Sequence, residues 1–248
     1  VCGLEFITAD GQLVRLTQDE NPDEFAGLVV GLGAYGIVTA ITLRILPHYQ
    51  VRQTVYRDLP YTQAISHFDE IQASAYSVSL FTDWQSDQFD QVWVKQRVDG
   101  TTSPATTEFF GASAAETPVH PLPDIDPTPC TQQLGIPGNW QDRLPHFRME
   151  HTPSNGDELQ SEYFVPREYV GEAIRAVQGM GDTLAPVLYV SEVRTIASDD
   201  LWLSPCYWRD SVAFHFTWKP QQRKVMAVLP QLEQALAPFG ARPHWGKL

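Results

Sequence analysis

The 248 residues are 43% hydrophobic and 11% aromatic, which is enough for a sizeable core in one large domain or two smaller ones. Thirty acidic residues against seventeen basic ones give a net charge of -13 with no basic stripe, so nucleic acid and anionic membrane surfaces are excluded as expected partners. No apolar run approaches a membrane span, no leader pattern opens the chain, and Cys2, Cys130 and Cys206 lack the spacing of a disulfide framework or a metal site, so a protein of a reducing cytoplasm is expected.

Residues 4–8 and 12–16 read as a hairpin around Asp10-Gly11. Asn21-Pro22-Asp23-Glu24 supplies a cap, a proline and first-turn acids, so a short helix through Phe25 and Ala26 is expected. Gly31-Leu32-Gly33-Ala34-Tyr35-Gly36 has the G-x-G-x-x-G spacing of a dinucleotide fingerprint, yet residues 37–45 after it are β-branched and alternating. That fingerprint has to open a helix, so the glycines are read instead as a tight turn where backbone can approach a ligand.

A strand over 51–56, a helix over 61–71 and strands over 77–82 and 91–97 follow from the apolar periodicity. Residues 101–145 are rich in Pro, Thr and Ala and read as a long excursion over the surface. Regular structure returns as a strand over 159–165, a helix over 166–179, strands over 186–196 and 211–218, a helix over 222–236 and a short tail. This order is not βαβ-spaced, so the fold class is α+β, with an antiparallel sheet flanked by helices.

Two polar pairs interrupt the last strands: Glu192 with Arg194, and His215 with Thr217. Side chains two apart share one face of a strand, so neighbouring strands would bring a carboxylate, a guanidinium, an imidazole and a hydroxyl together. Such a set suits a polyhydroxylated ligand better than a metal or a peptide. The alternative is a structural ion pair within one sheet beside a satisfied histidine, the reading also given to His48, His67, His120, His146 and His151.

Three segments carry a family resemblance: Gly31 to Thr39, Glu192-Val193-Arg194, and Pro243-His244-Trp245-Gly246-Lys247. Together they resemble FAD-linked oxidases of the vanillyl-alcohol-oxidase superfamily, in the aldonolactone and alditol oxidase branch. The stretches around Leu201-Trp202-Leu203-Ser204-Pro205 and His215-Phe216-Thr217-Trp218 are most similar to bacterial alditol oxidases. The resemblance implies the C-terminal part of a PCMH-type FAD-binding domain over 1–50, then a substrate-binding cap domain of the D-arabinono-1,4-lactone oxidase type over 51–248. It implies oxidation of the terminal hydroxyl of a sugar alcohol, with O2 reduced to H2O2, by a cytoplasmic monomer whose partners are a polyol and O2. Oxidation of an aldonolactone, and a catalytically silent fragment or sugar-binding cap, are the alternatives.

By the same resemblance Arg194 and Lys247 are catalytic, and Glu192, Arg194, His215, Thr217 and Lys247 bind substrate. Gly33, Gly36, Ile37 and His244 would contact FAD. The histidine that attaches the flavin covalently is expected upstream of Val1, so the chain reads as a fragment expected not to retain FAD alone.

Overall fold

The structure is a computed structural model and describes residues 1–98, 106–151 and 157–248. The chain divides into two compact units, Val1–Pro47 with Ala197–Asp210, and His48–Ile196 with Ser211–Leu248. Residues Ala197–Asp210, which a linear division near residue 50 leaves with the second part, pack with the first.

In the first unit Asp10-Gly11 turns the chain between β1 (Gly3–Ile7) and β2 (Leu13–Thr17), with Gly11 at φ 82°. Pro22 opens α1 (Pro22–Leu28), and the glycine-rich turn leads into β3 (Ile37–Thr42), not into a helix. The sheet order is β2-β1-β3. At Gly36, φ 149°, an added Cβ would collide with the carbonyl oxygen of Ile7, so the close approach of β1 accounts for this glycine. Trp202 donates its backbone N–H to Ala26 O at 3.0 Å, and its indole lies over Gly27.

The second unit begins with β4 (Gln50–Pro60), α2 (Tyr61–Ser66), α3 (Phe68–Ala73), β5 (Ser77–Thr82) and β6 (Gln88–Val98). The single helix expected over 61–71 is broken at His67, φ -121° and ψ 24°, which lets Tyr61, Ala64, Phe68 and Ile71 all reach the core. Short strands β7 (Glu108–Phe109), β8 (Ala112–Ala114) and β9 (Gly138–Asn139) follow. Then come β10 (Leu159–Pro166), α4 (Val170–Gln178), α5 (Gly181–Leu184), β11 (Leu188–Ile196), β12 (Ser211–Trp218), α6 (Gln222–Leu236) and β13 (Arg242–Pro243).

The strands form one sheet in the order β13-β10-β12-β11-β5-β6-β4-β8-β7, with β9 also on β4, and every ladder is antiparallel. One face carries Leu80, Val92, Val193, Phe214, Phe216 and Trp218 and packs with apolar residues of α2, α3, α4 and α6 in a single core. Two of its indoles are paired: Trp218 Nε1 donates to Ser161 Oγ at 3.0 Å and Trp84 Nε1 to Ser191 Oγ at 2.7 Å.

The opposite face is covered by the segment expected to run over the surface, and here the structure corrects that reading. Residues 101–105 lie outside the described residues, but beyond them Cys130, Thr131 and Gln133 are buried. The Gln133 side chain accepts from Val119 N at 2.9 Å and donates to Val119 O at 2.7 Å, replacing ladder bonds that prolines cannot make. No helix among the described residues is long and apolar enough to cross a membrane.

Candidate functional site

Strand β12 lies between β10 and β11, and the register sets Glu162 and Glu192 on either side of His215 in one cross-strand row. Two positions along, Gln160, Thr217 and Val190 form the next row on the same face. On the other side, Phe164, Ala213 and Arg194 form a third, where the small Ala213 leaves room for the Arg194 guanidinium to reach across β12. Arg194 donates from one nitrogen to Glu162 Oε1 at 2.9 Å and from the other to Glu192 Oε2 at 3.1 Å.

The tail joins this face from the outer edge of β10. His244 N donates to Glu162 O and Leu248 N to Gln160 O, both at 2.9 Å, so the tail runs beside the strand. Lys247 Nζ then donates to Glu162 Oε2 at 2.6 Å and to His215 Nδ1 at 2.9 Å. An ammonium only donates, so His215 Nδ1 accepts and its Nε2 carries the proton. Nε2 is 3.2 Å from Thr217 Oγ1 and donates to it, which frees the threonine hydroxyl proton for a ligand.

Burial alone would raise both carboxyls, but their partners outweigh it. Glu162 is held well below the usual range by Arg194 and Lys247, and Glu192 by His146, Arg194 and Ser79. Burial likewise disfavours the charged Arg194, and the two carboxylates more than offset it, so its pKa is raised. The cluster thus holds two anions and two cations.

Glu192, His215 and Thr217 line a cavity of about 430 Å³ together with His146 and Gln160. Phe81, Leu122, Ile125 and Phe147 give it an apolar wall. A bulge in β11 between Leu188 and Val190 carries Tyr189 into that wall.

The structure therefore joins five of the residues singled out in the sequence: Glu192, Arg194, His215, Thr217 and Lys247. His244 lies near them in the tail, stacked on Phe164 at 6.0 Å, with its Nδ1 accepting from Gly246 N at 3.0 Å. Gly33, Gly36 and Ile37 belong to the first unit.

Sequence reasoning missed three residues. Glu162 is the buried hub that ties Arg194 to Lys247, and the spacing of Gln160 and Glu162 on β10 is the same two-residue signal used elsewhere. Lys95, 1% exposed, donates Nζ to Leu144 O at 2.6 Å and Pro145 O at 2.9 Å, and burial pushes its pKa down to about 7. His146 was expected to be a satisfied half-buried histidine, and half-buried it is. What the sequence did not show is its partner: Nε2 meets Glu192 Oε1 at 3.1 Å, while Nδ1 is buried without one.

Residues 152–248 match the D-arabinono-1,4-lactone oxidase family. Over 99% of its length the chain is 47% identical to an alditol oxidase of a Streptomyces species. The chain is a relative of the alditol and aldonolactone oxidases. It spans 57% of the length of that alditol oxidase. Two solved structures share the fold of this oxidase relative. The xylooligosaccharide oxidase of Myceliophthora thermophila superposes with a TM-score of 0.64 at 12% identity, over 96% of this chain and 54% of the other. The glucooligosaccharide oxidase of Acremonium strictum, described with a cysteinyl and histidyl FAD, gives 0.53 at 14% identity, over 90% of this chain and 50% of the other.

Proposed function

We propose that this chain forms the substrate site of an FAD-linked oxidase that converts the terminal hydroxyl of a sugar alcohol to an aldehyde, with O2 reduced to H2O2. The observation that carries the reading is the shared face of β10, β11 and β12. There a fixed acceptor, Glu192, and a fixed donor, Thr217, open into one cavity backed by two cations joined through Glu162. Glu192 accepts from a substrate hydroxyl, Thr217 donates to another, and His215 holds the Thr217 proton outward.

The residues present fit a flavin at two points. Lys247 and Arg194 keep 18% and 35% of their side chains exposed, so cationic groups remain accessible to a ring that gains negative charge on reduction. Gly33, φ 74°, has no atom within 4 Å of an added Cβ, which leaves its backbone open to a ligand. Gly36 and Ile37 next to it and His244 in the tail are the further flavin contacts in this reading, with covalent attachment through a histidine upstream of Val1. When bound, flavin supplies the hydride acceptor.

The parent protein, given xylitol or sorbitol, is expected to consume oxygen and release peroxide, and no turnover with any polyol or aldonolactone would dispose of the reading. In that parent, Lys247→Met is expected to slow flavin reduction far more than it weakens substrate binding, because the charge it opposes appears only during reaction. Glu192→Gln should chiefly raise the substrate concentration required. The family match over residues 152–248 favours an aldonolactone as the second reading. D-arabinono-1,4-lactone turning over faster than any polyol would select it.

A further inference from the structure

The Glu192 carboxylate is held from its own strand by Arg194 and from outside it by His146, with the Ser79 side chain a further hydrogen-bond partner. Arg194 takes Oε2 at 3.1 Å, and His146, from the loop after β9, meets Oε1 at 3.1 Å. The His146 ring is wedged edge-on against Phe81 at 5.5 Å and Trp93 at 5.3 Å. The backbone behind it is pinned as well. Lys95 Nζ donates to the carbonyls of Leu144 and Pro145, Thr131 Oγ1 donates to Pro145 O at 2.7 Å, and Thr131 N donates to His146 O at 2.9 Å. These contacts lock ring and loop against the sheet.

We propose that His146 is a positioning residue of the substrate site, mounted on Lys95 and Thr131, which orients the Glu192 carboxylate to accept a ligand hydroxyl. The inference rests on reading the cavity as a polyol site. An ionised carboxylate only accepts, so the proton between the two groups sits on His146 Nε2. The charged groups acting on the imidazole are Glu192, Lys95 and Arg194. Burial lowers its pKa, and Glu192, which favours the imidazolium, does not reverse this, so the ring is neutral. Its Nδ1 is then a bare acceptor, buried and unpartnered. A neutral ring already protonated at Nε2 takes no further proton on that side, so His146 orients Glu192 and does not relay a proton from it. One lone pair on each Glu192 oxygen is engaged by His146 or Arg194. Ser79 engages a further one, which leaves lone-pair room for a ligand hydroxyl, and without His146 the carboxylate loses the donor that fixes Oε1.

The test uses the whole 248-residue chain as wild type, His146→Phe and His146→Gln. Long-range proton-nitrogen NMR reads the tautomer: a neutral ring protonated at Nε2 is expected near neutral pH, and an Nδ1-protonated ring or an imidazolium overturns the proposal. Calorimetric titration with xylitol should show at least about tenfold weaker binding for His146→Phe and recovery to within about threefold for His146→Gln, whose amide restores a donor. Equal affinity of wild type and His146→Phe overturns it. If the wild type binds no xylitol, the polyol reading loses its support, while the carboxyl-carbon titration of Glu192 still decides the role of His146. That titration should move upward in His146→Phe, and an unchanged one overturns the positioning role. Should His146→Phe fail to fold, Glu192→Gln replaces it: the Nε2 proton signal of His146 is expected to shift, and an unmoved signal counts against the proposal.

Discussion

Strands β3 and β12 read alike in the sequence, yet they occupy opposite environments. Ile37, Val38 and Ile41 of β3 are 75%, 48% and 55% exposed, whereas Val212, Phe214, Phe216 and Trp218 of β12 are fully buried. Among the described residues β3 pairs on one edge, with β1, while β12 has neighbours on both edges and the helical core on one face. The ionic residues invert the pattern: Glu162 and Glu192 beside β12 are buried, and Glu5 on β1 is not. Alternation therefore establishes a strand and says little about what covers it. The departures carry the information, since a buried ionic row and an uncovered apolar strand each break the usual partition.

The sharpest way to break this comparison is to remove the hub of one sheet and a typical residue of the other. Glu162→Ala leaves Lys247 and Arg194 facing each other without their shared counter-charge and should destabilise the fold by about 3 kcal/mol, whereas Ile37→Ser should change it by less than about 0.5 kcal/mol. Urea unfolding measures both, and similar effects would show that the buried row is no more essential than the exposed strand. The same carboxylates set the acid response. Glu162 and Glu192 have folded-state pKa values depressed below the ordinary 4.5, so their contribution is complete above that pH and is lost progressively below it. The urea midpoint should fall steadily on acidification, and a Glu162→Gln, Glu192→Gln double variant should lose most of that slope.

Lys95 sharpens the comparison from the basic side. Its pKa is pushed down by burial from 10.5 to about 7, so between those values the unfolded chain binds a proton that the folded chain does not. Stability should therefore rise with pH over that window and level off below it, the reverse of a lysine that gains a partner on folding. Lys95→Met should flatten the rise, and a profile identical to wild type would remove Lys95 as its source.

How much of this was legible in the sequence follows from the range of each interaction. Asp10-Gly11 and the two-residue spacing of Glu192 with Arg194 and His215 with Thr217 are local signals, and the structure places each as the period of a strand demands. Glu162 carried the same signal with Gln160, but its importance depends on β10 pairing with the far edge of β12, and no local pattern specifies that register. Lys95 meets its carbonyls 49 and 50 residues away, and His146 meets Glu192 46 residues away, from a proline-rich segment whose composition reads as loop. A segment without period can still pack closely when side chains such as Gln133 supply the hydrogen bonds that a ladder would have made.

The smallest expected effect separates two glycines within the first sheet. Gly11, φ 82°, has no atom within 4 Å of an added Cβ, so Gly11→Ala meets only the cost of a left-handed backbone, about 1 kcal/mol. At Gly36 the same methyl runs into the Ile7 carbonyl, so Gly36→Ala adds a displacement of β3 from β1 to its own positive φ and should cost more. Thermal unfolding of the two variants ranks them. If Gly11→Ala proved the worse, the turn and not the β1 to β3 pairing would be what holds the three-stranded sheet together. The exposure of β3 would then follow from a weak ladder, and not from an apolar face that lacks cover.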